Sequence, residues 1–99
     1  MIMNNHFETW EEIRKSFNFT EEEEEEMRIE REIIIATIEA RKKSNLTQKQ
    51  LSEKSGLAQP VIARIESRKR SPQISTILKM LLPTGHTLKV VPTSEIKNK

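Results

Sequence analysis

Ninety-nine residues, 34% of them hydrophobic and 4% aromatic, support one compact domain with an appendage and leave little material for a deep ligand pocket. The absence of cysteine excludes disulfides, a zinc-finger ligand set and a thiol nucleophile, and it suits a reducing cytosol. The net charge of +2 hides an asymmetry: residues 1–40 carry twelve Glu against four Lys/Arg, whereas residues 41–99 carry three Glu against thirteen Lys/Arg. Such a division suits an anionic polymer for the C-terminal part and a basic protein for the N-terminal part, or an attraction between the two halves themselves. The apolar stretch 33–38 is far shorter than the roughly 20 residues of a membrane span, and the first residues lack a signal-peptide layout. A soluble cytoplasmic protein without a cofactor is expected.

In chain order, Phe7, Trp10, Ile13 and Phe17 share one face of a short amphipathic helix. That face is either an exposed anchor for a partner or a part of the chain's own core. After Asn18 and Phe19, Thr20 caps a second helix with Glu23 completing a capping box, and the run Glu21 to Glu26 crowds the positive end of its dipole. This helix is expected to end near Lys43, with Met27, Ile33, Ile34, Ala36, Ile38 and Ala40 forming a broad apolar face. Thr47 caps a third helix over about residues 48–55, which Gly56 ends in a left-handed turn. Leu51 and Leu57 point to the core.

A fourth helix opens near Gln59 with Pro60 in its first turn, where a missing amide hydrogen costs nothing. Glycine and proline therefore bracket a tight turn between two short helices. Ser71 and Pro72 repeat the signal for a fifth helix, striped with Ile74, Ile77, Leu78 and Leu81 and ended by Pro83 and Gly85. Residues 87–91 read as a β-type run, and residues 93–99 as a polar tail.

Successive residues of the fourth helix are separated by about 100°, so Val61, Ile62 and Ile65 fall together on a buried stripe. The opposite face presents Gln59, Pro60, Ala63, Arg64 and Ser67. That set suits insertion into a DNA major groove: glutamine pairs with adenine, arginine with guanine, and alanine meets a thymine methyl. Arg68, Lys69 and Arg70 would reach phosphates, as would Gln48, Lys49 and the free amides opening the third helix.

The stretch LTQKQLSEKSGLAQPVIARIES resembles the helix-turn-helix of Cro- and repressor-type (XRE family) DNA-binding proteins. Together with TWEEIRKSF, IEARKKSNLTQKQL and SPQISTILKMLLPTGHTLKVVP, it is similar to HigA-type antitoxins over roughly Thr9 to Pro92. The resemblance implies an all-α, five-helix Cro/repressor-like domain with an N-terminal helical extension and a short C-terminal strand. It divides the chain into an acidic partner-binding region (1–43), a DNA-binding core (44–83), a pairing strand (84–92) and a tail (93–99). It assigns Gln48 to a phosphate contact, and Gln59, Pro60 and Arg64 to the recognition surface.

Three residues depart from the family pattern: Ala58 in place of the Ser/Thr cap, Ser52 in place of a buried alanine, and Arg68 in place of glycine. At the last of these, the chain must accept a positive φ or change its turn.

The family implies autorepression at its own operon and a toxin partner of the HigB/RelE-like class, a basic mRNA endonuclease bound through Phe7, Trp10, Ile13 and Phe17. A lone strand needs a partner for its amides, so Leu88, Lys89, Val90 and Val91 are expected to pair with a second copy or with a partner's sheet. A homodimer within a toxin–antitoxin heterotetramer follows, with recognition helices about 34 Å apart on an inverted-repeat operator. The alternatives are a stand-alone repressor without a toxin and a protein adaptor without a DNA role. An enzyme is disfavoured: His6 and His86 are isolated, and consecutive helical glutamates cannot converge on one substrate atom.

Overall fold

The structure, a computed structural model, describes Thr9, Glu12 and residues 18–96. Within them lie four α-helices, α1 (Glu21–Lys43), α2 (Gln48–Ser55), α3 (Gln59–Glu66) and α4 (Ile74–Leu81), and two 3-10 turns at Leu82–Thr84 and Thr93–Glu95. The helix expected around Phe7 to Phe17 lies outside the described residues. Residues 1–31 and 32–99 form two units, the boundary falling within α1.

Helix α1 begins where its capping box predicts. Thr20 N–H donates to Glu23 Oε1 (2.9 Å) and Glu23 N–H donates to Thr20 Oγ1 (3.1 Å), satisfying two amides that the helix itself cannot. One turn further on, the Arg28 guanidinium donates to Glu25 Oε2 (2.6 Å) and holds that exposed carboxyl below its usual range. The glutamates of the first turn, Glu21 to Glu24, stand at the positive end of the helix dipole, where negative charge is stabilising. At the other end, Asn45 adopts φ 58°, with Asn45 N–H on Lys42 O (3.0 Å) and Leu46 N–H on Arg41 O (3.1 Å). This paired 5→2 and 6→1 bonding is a Schellman turn.

In the unit 32–99, the core has two clusters. Ile34, Leu51, Ile62, Ile65 and Met80 form the first, flanked by Ile38, Leu46, Leu57 and Val61. Ala40, Ile77 and Leu81 form the second, flanked by Ile33 and Leu88. Helix α2 lies at the centre, touching α3, α4 and the Leu82–Thr84 turn. Thr37, also buried, donates its hydroxyl to Ile33 O (2.7 Å) and so carries no unmet polar group into the interior.

Several expectations need correction. Ala36 is exposed, so the apolar face of α1 is narrower than its composition suggests. Helix α4 begins at Ile74 after an extended Gln73 (φ −80°, ψ 159°), not at Pro72. A proline's fixed φ fits extended and helical backbone alike, so it marks the neighbourhood of a helix start and not its first residue. Ile74 is 70% exposed and Met80 is fully buried, so the buried stripe of α4 is Ile77, Met80 and Leu81.

The expected strand at residues 87–91 is also missing: no strand occurs among the described residues. A strand is defined by its ladder, and no described segment supplies the second rung. The fold is therefore a four-helix arrangement among the described residues, with an irregular C-terminal segment.

Arg68 resolves the question posed by the missing glycine. It adopts φ 64°, with Arg68 N–H on Ile65 O (3.0 Å) and Lys69 N–H on Arg64 O (2.8 Å), so α3 ends in a second Schellman turn carried by a side chain where glycine is favoured. The left-handed conformation costs a non-glycine residue about 1–2 kcal/mol, and glycine's extra unfolded-state entropy offsets about 0.4–1 kcal/mol of that. Arg68→Gly should therefore stabilise the chain by up to about 1 kcal/mol, read as a higher urea midpoint at unchanged slope. A lower midpoint would show that the arginine side chain itself stabilises the turn.

Candidate nucleic-acid interface

The segment from Thr47 to Arg70 builds one surface from two short helices. Helix α2 starts with a second capping box: Gln50 N–H donates to Thr47 Oγ1 (3.0 Å), and Thr47 N–H donates to Gln50 Oε1 (2.8 Å). The box occupies the amide of Gln50 and leaves those of Gln48 and Lys49 at the open, positive end of the helix.

Gly56 (φ 80°) ends α2, its N–H reaching Ser52 O. The Ser52 hydroxyl donates to Leu57 O (2.5 Å), and the Leu57 N–H donates to Ser55 Oγ (3.1 Å). Ser52 thus has a purpose that alanine could not serve: it ties the last turn of α2 to the connecting loop. Ala58 takes the cap position of α3 with extended backbone (φ −66°, ψ 140°) and no side-chain bond. Pro60 supplies a preset φ in the first turn where a hydroxyl cap is missing.

Helix α3 sorts its residues as its periodicity predicts. Ile62 and Ile65 are fully buried and Val61 packs on them, whereas Gln59, Pro60, Arg64 and Ser67 are exposed and Ala63 is half-buried. Lys49, Arg68, Lys69 and Arg70 are exposed as well, so five cations, Arg64 among them, stand on or beside this helix pair. With the apolar side committed to the core, the polar face of α3 is available to a ligand.

Behind that face lies a buried ion pair that sequence reasoning did not find. Arg41 donates from Nε to Glu66 Oε2 (2.7 Å) and from Nη2 to Glu66 Oε1 (2.9 Å), a bidentate fork, and from Nη1 to Leu46 O (2.7 Å). Gln48 Nε2 donates to Glu66 Oε1 (2.9 Å). The two charged side chains are 10% and 7% exposed, so the pair is withdrawn from water. Among the described residues no buried side-chain polar atom lacks a hydrogen-bond partner.

One signal for this pair was available. Glu66 is the only acidic residue between Glu53 and Glu95, and it stands at the C-terminal end of a helix, where a negative charge opposes the dipole unless a cation answers it.

Residues 38–85 match the model of a helix-turn-helix family. Among solved structures, a toxin–antitoxin module from Streptococcus pneumoniae is 44% identical over 88% of this chain and 96% of that one, with a TM-score of 0.63. The chain belongs to the XRE-type helix-turn-helix family. No curated protein matches it.

In this helix-turn-helix, α2 is the first helix and α3 the second, joined through Gly56. The structure brings Gln48, Lys49, Gln59, Pro60, Ala63, Arg64, Ser67, Arg68, Lys69 and Arg70 onto α2, α3 and the turn that follows them. Gln48, expected at a phosphate contact, donates to Glu66 in this structure. Phe7, Trp10, Ile13 and Phe17 lie outside the described residues. At the far end, Leu88 packs on Ala40, Ile77 and Leu81, Lys89 is exposed, Val90 is 98% exposed and Val91 is half-buried. Among the described residues no helix is long and apolar enough to cross a membrane, and no group of His, Cys, Asp and Glu could hold a metal ion.

Removing one partner of a buried ion pair strands the other charge, at a cost of about 3–5 kcal/mol. Arg41→Ala should accordingly abolish the cooperative thermal transition or lower its midpoint by well over 10 °C, as about 1 kcal/mol moves a domain of this size by roughly 4–8 °C. A melt within a few degrees of the parent chain would show that the pair contributes little.

Proposed function

We propose that this chain is the antitoxin of a type II toxin–antitoxin pair. It binds inverted-repeat operator DNA through α3, represses its own operon, and neutralises a HigB/RelE-like mRNA endonuclease. The observation that carries the DNA half is the division of α3 into a buried apolar side and an exposed face of Gln59, Pro60, Arg64 and Ser67, with half-buried Ala63 among them. Gln59 and Arg64 read base edges, Ala63 and Pro60 allow close approach, and Ser67, Arg68, Lys69, Arg70, Lys49 and Gln48 hold phosphates. The role is binding and regulation, not turnover.

The antitoxin half draws on the likeness to a toxin–antitoxin module along nearly the whole chain. It draws also on charge: twelve glutamates in residues 1–40 would complement a basic toxin. Phe7, Trp10, Ile13 and Phe17 serve as the toxin anchor. Two copies pair through Leu88, Lys89, Val90 and Val91, and this pairing is what would turn an extended segment into a strand.

Arg64→Ala should lower operator affinity by about 1–3 kcal/mol and relax preference at one base pair, while Lys69→Ala should weaken all sequences alike and reduce the salt slope by about one. Equal binding by Arg64→Ala in a mobility-shift titration would exclude α3 as the reading element.

Affinity purification of the tagged chain at its native level tests the partners. One small basic protein should come down in stoichiometric amount and be lost on changing Trp10 and Phe17 to alanine. A second copy of the chain should be lost on removing residues 87–99. Operator binding with no protein partner would instead identify a stand-alone repressor.

A further inference from the structure

The ion pair behind the recognition helix touches Gln48, a side chain at the edge of the DNA-facing surface, and the chemistry of that contact is directional. A carboxylate only accepts hydrogen bonds, so Gln48 must give Glu66 its amino group and not its carbonyl oxygen. Glu66 cannot turn to suit a different amide orientation, because both of its oxygens are engaged by the Arg41 fork (2.7 and 2.9 Å). Arg41 is fixed in turn by Leu46 O (2.7 Å), in the Schellman turn that closes α1. A chain of partly buried hydrogen bonds therefore runs from the end of one helix, through the end of another, to the first residue of a third.

We infer that Glu66, held by Arg41, is a positioning residue for DNA binding: it fixes Gln48 as a donor to a backbone phosphate. The inference rests on the reading of this surface as a DNA interface. One N–H of the Gln48 amino group is spent on Glu66; the second stays on the same nitrogen, and the backbone N–H groups of Gln48 and Lys49 open beside it. A free glutamine would spend part of its time presenting a carbonyl oxygen, which repels phosphate.

Arg41 has an electrostatic part as well. It offsets a carboxylate that would otherwise stand close to a polyanion, at a helix end whose dipole is already negative.

The test uses the full chain and a mixed-sequence DNA duplex at low salt, since a phosphate contact is independent of sequence. Four proteins are compared: the parent, Gln48→Ala, the doubly substituted Arg41→Met/Glu66→Leu, and the three changes together. Exchanging both members of a buried ion pair for apolar residues of similar volume preserves folding where removal of one does not. Gln48→Ala should bind about ten- to a hundredfold more weakly, the loss of one hydrogen bond to a charged group. The doubly substituted chain should lose as much, and the triple change no more.

The slope of affinity against salt should stay that of the parent in all four, because no cation on the surface has been removed. If circular dichroism shows the doubly substituted chain unfolded, Arg41→Leu/Glu66→Met, which likewise removes both charges, takes its place with the same criterion. Undiminished binding by Gln48→Ala or by the doubly substituted chain, or a full further loss on combining them, overturns the inference while leaving the DNA interface intact. A parent chain that binds no duplex overturns both.

Discussion

The bidentate pair of Arg41 and Glu66 is the constraint on which the arrangement of the helix-turn-helix depends. Each charge is nearly removed from water, which makes either one costly alone and the two together tolerable only in one geometry. Apolar packing of Leu51, Ile62, Ile65 and Met80 supplies the non-directional drive to bring the helices together. It does not by itself fix the rotation of α3. The fork does so, because Glu66 lies on that helix and Arg41 on α1, and any rotation of α3 would strand a buried charge. The polar face of α3, turned outward by the burial of Ile62 and Ile65, is locked in that position by the fork.

Chain reversal follows a second rule. The Leu82–Thr84 turn ends like α1 and α3, with Gly85 at φ 81° and His86 N–H on Leu81 O (3.2 Å), so three terminators share one hydrogen-bond pattern on Asn45, Arg68 and Gly85. Asparagine tolerates the left-handed region and glycine is indifferent to it, but arginine is strained there. What the arginine adds is charge at the exit of α3, next to Lys69 and Arg70. A small loss of stability set against a denser cationic edge is what a surface built for a polyanion would favour.

Much of this was legible in the sequence because it is local. Thr20 with Glu23, and Thr47 with Gln50, specify helix starts through bonds three residues long; Gly56 and Pro60 bracket the turn through backbone preferences alone; and the period of Val61, Ile62 and Ile65 sorts the faces of α3. The features that escaped are those set by distant partners. Arg41 reads as a helix-end cation until Glu66, 25 residues on, is seen to meet it. Ile74 reads as core because its spacing fits, yet it is 70% exposed among the described residues, and Met80 fills the core instead. The β-type run 87–91 has the composition of a strand without a second strand among the described residues to define it.

The central claim is that α3 and its flanks form the DNA-facing surface, held in place by the buried pair. Amide chemical shifts of the isotopically labelled chain, titrated with its operator duplex, test it most directly. The account predicts that the largest changes fall on Gln48 and Lys49, along Gln59 to Ser67, and on Arg68 to Arg70, with the glutamate-rich start of α1 unmoved. Changes centred on α1, or none at saturating duplex, would contradict it.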